Sequence, residues 1–186
     1  MSEIIVRPQQ TVSIFGSISA FEDAQRMAKV LVTSKLVPTA FQNNLGDCMI
    51  ALEMANRMGV NPIAVMQNLY IVHGKPSWSA QFIVAAINQS GRFKTTIMYE
   101  VTGEGDSKGC IAYAFDFEGN RVDSPRVTVE MAKKEGWYTK NGSKWQTMED
   151  LMLRYRAATF FGRLYTPDLL MGMQTKEELD DIIDAK

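Results

Sequence analysis

The apolar positions along this chain change period several times, and each change marks an element. Phe21, Ala24, Met27, Ala28 and Leu31 recur at the three- and four-residue spacing of one helical face. Ser19 with Glu22 three residues on forms a capping box, so this helix is expected to run to about Ser34. Residues 1–18 read as irregular, and Pro38 closes the unit. Ile50, Ala51, Met54, Ala55 and Met58 predict a second helix over Leu45–Met58 that Gly59 stops. Asn61-Pro62 then supplies the N-cap and first position of a short turn.

Beyond residue 68 the pattern turns β-like. Leu69–His73 and Pro76–Ser79 flank Gly74-Lys75, and a glycine first in a two-residue connection suits a type II′ hairpin. Ser79 can cap a helix over Ala80–Ser90, ended by Gly91. Phe93–Val101 and Cys110–Phe117 are β-rich runs around a glycine-rich loop at 103–109, followed by a turn at Glu118-Gly119-Asn120. A short helix over Val129–Glu135 stops at Gly136, and Asn141-Gly142 marks another turn. Together these elements predict an α+β chain: a small antiparallel β-sheet surrounded by helices, with a long C-terminal arginine-bearing helix. The expected division is an irregular segment at 1–18, a single core over 19–172 and an acidic segment over 173–186.

That arginine-bearing stretch, Lys144–Gly172, departs most from the ordinary. It predicts a helix of about sixteen residues, apolar on most sides, with Thr147 as N-cap and Asp150 three residues on. At 100° per residue, Arg156 and Arg163 lie within about 20° of each other, beside Met152 and Thr159. Arg154 points to roughly the opposite side, among Ala158, Phe161 and Tyr165. A guanidinium is almost never buried without an anionic partner. Glu149 and Asp150 belong to the first turn, where they favour the helix dipole. The missing anion is therefore either a carboxylate elsewhere in the fold or a phosphate brought by a ligand.

Charge sharpens this choice without deciding it. The net charge is −1. Residues 164–186 carry six acids against two lysines, leaving eighteen basic and fifteen acidic groups in residues 1–163. Between Arg121 and Arg163 there are nine basic and five acidic groups. Such a gradient is either a basic, phosphate-facing surface with an acidic tail that competes for it, or simply two solvated faces. One histidine and two separated cysteines leave no His/Cys metal set, no HExxH helix and no disulfide framework, and the default compartment is a reducing cytoplasm. The N-terminal residues lack the basic start and long apolar centre of a secretion signal, and no apolar run reaches membrane-spanning length. The glycine-rich loop does not follow the phosphate-loop order, and its acids would repel a nucleotide.

At this point a resemblance enters. Trp145-Gln146, Met152-Leu153-Arg154, Ala157 and Arg163 stand in the order of the C-terminal core motif of the RecT family of phage single-strand annealing recombinases, also called the Red beta family. The earlier series agrees: Ala51, Ala55-Asn56, Gly59-Val60-Asn61-Pro62, Tyr70, Gly74, Ile87-Asn88 and Phe93. The resemblance spans roughly Asp47–Leu179. It implies a protein that is not an enzyme and uses no cofactor. Such a protein binds single-stranded DNA, promotes annealing of complementary strands without nucleotide hydrolysis, and holds the annealed duplex. It implies a homo-oligomeric ring or filament, a partner 5′–3′ exonuclease, a host single-strand-binding protein, and no membrane. By motif position Arg154, Arg156 and Arg163 inherit a DNA-groove role. Asp150 and Gln67 stand where relatives carry lysines, with Lys140 and Lys144 available to compensate.

The chemistry of annealing asks for phosphate contacts that leave base edges free, and for aromatic rings that can receive unstacked bases. Lys75 on the hairpin tip, and Arg92 and Lys94 after the Gly91 turn, are candidate phosphate contacts. Trp78, Trp137, Tyr138 and Trp145 are candidate stacking rings, although core packing is the commoner role for each. Two other readings compete. One is a carboxylate–metal nuclease using Asp116, Glu118 and Asp123. The other is a structural or interaction module whose twelve methionines bury against neighbours.

Overall fold

A computed structural model of the protein describes residues 13–72 and 74–183. The expected irregular segment at 1–18 lies mostly outside these, as do His73 at the end of the predicted first hairpin strand and the last residues of the acidic segment. Contacts group the chain into two compact units, Met1–Gln67 and Asn68–Lys186, so the division falls inside the stretch read as one core.

The first unit is helical. Helix α1 (Ile18–Leu31) starts from Ser17, whose hydroxyl accepts from the Ala20 amide at 3.1 Å. Ser19 is therefore inside the helix and not its cap. Ser17 already has the extended dihedral angles, φ −155° and ψ 160°, that a cap requires. The helix ends short of Ser34, because the turns at Thr33 and Ser34 tighten to three-residue bonds onto Val30 and Leu31. Helix α2 (Leu45–Met58) has the predicted bounds, capped by Asn44 and closed by Gly59 at φ 64°. Asn61 accepts from the Ile63 amide at 2.8 Å and leads not into a mere turn but into helix α3 (Pro62–Asn68). Ala24, Ala28, Ala51 and Ala55 are buried where α1 and α2 pack together, whereas Phe21, Met27 and Ile50 are exposed.

The second unit contains two antiparallel sheets. Strands β1 (Leu69–Val72) and β2 (Lys75–Trp78) form the hairpin, but Val72 pairs with Lys75, so the connection falls one residue earlier than predicted. Gly74 is second in it, at φ 77°. This register sets buried Leu69 opposite buried Trp78, whereas the predicted one would oppose Trp78 to exposed Ile71. Helix α4 (Ala80–Gln89) follows, capped by Ser79 as expected.

The larger sheet has β4 (Gly109–Phe115) at its centre, paired on one edge with β3 (Met98–Thr102). Its other edge carries β5 (Arg121–Asp123) and then β6 (Val127–Thr128). Between these two, Pro125 has no amide to donate, and Ser124 holds the edge instead. Its amide donates to Ala112 O at 2.8 Å, and its hydroxyl accepts from the Ala112 amide at 3.0 Å. Helices α5 (Val129–Lys134), α6 (Glu149–Tyr165) and α7 (Lys176–Ile183) complete the unit. The α+β class is as predicted. The arginine-bearing helix is not the last, however, because α7 forms within the acidic segment. Among the described residues, no helix is long and apolar enough to cross a membrane.

Helix α6 is the centre of this unit. It packs on β4, whose buried face carries only Cys110, Ala112 and Ala114, and on α4 through Ile83 and Ile87. Small side chains on β4 let the helix approach closely. Gly162 does the same toward α4: a Cβ built there would lie 2.8 Å from Leu170 Cδ1 and 2.9 Å from Ile87 Cδ1. Gly162→Ala should change stability by less than about 1 kcal/mol, since the crowding is offset by helix propensity. Gly162→Val should cost about 2–3 kcal/mol. Urea unfolding of the two variants checks both values.

Candidate nucleic-acid interface

The α6 arginines occupy three different environments. Met148 is the N-cap residue, with no side-chain cap bond, so Thr147 and Asp150 do not form the expected box. The two first-turn acids are taken by a cation from the sheet instead. Lys108 Nζ lies 3.1 Å from Glu149 Oε1 and 2.5 Å from Asp150 Oδ1. Its bonds to Asp150 and then Glu149 raise the Lys108 pKa, and the Lys108 ammonium in turn holds Asp150 below the usual carboxylate range.

Arg154 is half-buried toward the inner side of the sheet. Its Nη1 donates to the Asp150 carbonyl at 3.1 Å, and it makes no ion pair among the described residues. Two neighbouring titratable groups on this side are neutral. Burial pushes the Cys110 thiol up to about 11 and the Tyr99 phenol to about 12, Arg154 opposing both shifts without reversing them.

Arg156 is the buried arginine, only 6% exposed. Its guanidinium lies 3.9 Å from the centre of the Trp137 ring, and its Nη1 is 3.6 Å from Glu178 Oε1. Arg163, about two turns further along the same side, is half-exposed and donates from Nη1 to the same Glu178 oxygen at 2.8 Å. Arg156 and Arg163 do share a side, as the helical spacing predicts. What they share on that side is a carboxylate of the fold itself.

Glu178 is the residue that sequence reasoning missed. It is 4% exposed and stands at the start of α7. Its Oε2 accepts from the Thr175 amide at 3.0 Å and from the Thr175 hydroxyl at 3.3 Å, while Thr175 Oγ1 accepts from the Glu178 amide at 3.2 Å. This is a capping box, and its T-x-x-E signature was readable as Thr175-Lys176-Glu177-Glu178. Grouping these residues as a solvated acidic segment hid it.

The other predicted contacts divide. Trp78 and Trp145 are corrected to core positions, with no ring face open to a base. Trp78 is fully buried, stacks on Phe82 at 4.6 Å and donates its indole N–H to Leu170 O at 3.2 Å. Trp145 is 2% exposed and lies 5.8 Å from Trp137. Arg92 is exposed but ion-paired with Asp168, which its guanidinium holds below the usual carboxylate range. Lys75, Lys94 and Lys144 are exposed and make no ion pair among the described residues; Lys140 is half-buried. Of the acids proposed for a nuclease, Asp116 accepts from the Asn120 amide at 2.8 Å and side chain at 2.9 Å, closing the turn around Gly119. Asp123 pairs with Arg121 at 2.7 Å. Among the described residues no group of three or more His, Cys, Asp or Glu side chains is placed to hold a metal ion.

Searches against protein-family models, curated proteins and solved structures find no match to this chain.

Removing Arg156 leaves buried Glu178 with one cation in place of two. Arg156→Ala should destabilise the second unit by about 2–3 kcal/mol, because a buried guanidinium stacked on Trp137 is lost while Glu178 keeps Arg163 as its nearer cation. Arg163→Ala should cost only about 1 kcal/mol, since its side chain is half in water. Chemical denaturation followed by tryptophan fluorescence distinguishes the two, and equal losses would contradict the division of roles.

Proposed function

We propose that this protein binds single-stranded DNA and promotes annealing of complementary strands, without nucleotide hydrolysis, in phage homologous recombination within the cytoplasm of a bacterial host. The observation that carries this reading is the ordered residue series in which the chain resembles the RecT family, ending on α6 with Met152, Leu153, Arg154, Ala157 and Arg163. The charge geometry supports it. Arg154, Lys75, Lys94 and Lys144 have no carboxylate partner among the described residues, and Arg163 is half-exposed while paired with Glu178. An annealing protein needs this kind of inventory, because phosphate contacts hold a strand without reading its bases.

The first unit supplies what a binding protein with few cations per chain requires. Ile18, Phe21, Met27 and Val30 of α1 are exposed, together with Phe15, Leu36 and Ile50. We read these as the self-association surface of a homo-oligomer that lines up many protomers along one strand and so multiplies weak phosphate contacts. A partner exonuclease would supply the single strand, and a host single-strand-binding protein would meet the same substrate.

Labelled complementary oligonucleotides test the first proposal. Annealing should accelerate equally with and without ATP, with no cleavage of either strand. A nucleotide requirement, strand cutting or no effect on pairing would each refute it. Light scattering tests the second: the protein should grow beyond a monomer on adding a long oligonucleotide. A monomer in every state that still anneals would remove the assembly and leave strand binding in place.

A further inference from the structure

The least expected feature of α6 is that its one half-exposed arginine in an ion pair is held by a carboxylate that is itself almost wholly buried. Glu178 is fixed from several directions. Thr175 donates to its Oε2 from amide and hydroxyl, Arg156 approaches its Oε1 at 3.6 Å, and Arg156 is in turn stacked against Trp137. The carboxylate therefore has no freedom to follow Arg163 into solvent. Its bond to Arg163 Nη1 at 2.8 Å pins one nitrogen of a guanidinium that has five donors in all, on a side chain that is 47% exposed.

A solvent-exposed arginine normally loses considerable rotamer freedom when it binds a phosphate. An arginine already held in one orientation loses less, and this is preorganisation. We infer that Glu178 is a positioning residue for phosphate binding: it fixes the Arg163 guanidinium so that its outer edge receives a phosphodiester. The inference rests on the single-strand-binding reading above. The opposite role, in which the carboxylate competes with phosphate for Arg163, would require Glu178 to leave a buried capping box and uncap α7. The burial and the two Thr175 bonds oppose that.

The two roles predict opposite signs for one substitution. Glu178→Gln keeps the shape and an acceptor for Thr175 but removes a negative charge. If the carboxylate competed with DNA, the more positive variant would bind more tightly. If it positions Arg163, the variant binds more weakly in spite of its added positive charge. The measurement is fluorescence anisotropy of a labelled thymidine oligonucleotide titrated with the full chain. For Glu178→Gln we expect affinity to fall roughly tenfold, the size of one lost charged hydrogen bond. Arg163→Lys keeps the charge at a half-exposed position but replaces the rigid fork with a point donor. It should lose a similar factor with an unchanged melting temperature. Tighter or unchanged binding by a folded Glu178→Gln overturns the inference. Should that variant fail to fold, wild-type affinity in Arg163→Lys overturns it instead. If the unmodified protein bound no oligonucleotide, the functional reading itself would fall, and this inference with it. Binding that is indifferent to both variants removes this inference alone.

Discussion

One buried carboxylate organises the second half of this protein. Glu178 caps α7, accepts from Arg163 on α6, lies beside Arg156, and through Arg156 is linked to the Trp137 ring in the loop before α6. A charge taken out of water is tolerable only when its partners are close and well aligned. That requirement couples three segments: α6, α7 and the loop before α6. The link is reinforced nearby, where Trp78 donates its amide to Gln174 O and its indole N–H to Leu170 O.

The same helix meets a second constraint on its other sides. An α-helix can lie close to both a sheet and another helix only if small residues clear the approach. Cys110, Ala112 and Ala114 do so on β4, and Gly162 does so on α6 itself. The arginines then sort by geometry. Arg156 enters the interior with its carboxylate, Arg163 stays at the boundary, and Arg154 turns toward the sheet, where Tyr99 and Cys110 stay neutral. Three chemically identical side chains within ten positions thus have three different relations to solvent and to any anion.

On the proposed single-strand-binding reading, this sorting sets which cations a phosphate could meet. Phosphate binding depends on cations whose charge the fold does not cancel internally. Here several are cancelled: Lys108 by Glu149 and Asp150, Arg121 by Glu100 and Asp123, Lys133 by Asp106, and Arg92 by Asp168. The near-zero net charge therefore says less than the pairing does, because what a strand meets is the uncancelled remainder.

What the sequence determined by itself was local. Capping and stop signals placed α2 at its observed bounds, started α4 at Ser79 and ended α5 before Gly136, because these signals act between residues three or four apart. The helical period put Arg156 and Arg163 on one side for the same reason. Tertiary structure decided what depends on distant partners. The hairpin turned one residue earlier than predicted, moving each partner by two, because burying Leu69 opposite Trp78 outweighed a glycine's preference within the turn. Trp78 and Trp145 became core residues because their surroundings closed over them. The anion for Arg156 and Arg163 came from Glu178, and the cation for Asp150 from Lys108, forty-two positions away. Helical spacing could announce that a buried arginine needs an anion. Only the packing of α7 against the rest of the unit could choose which one.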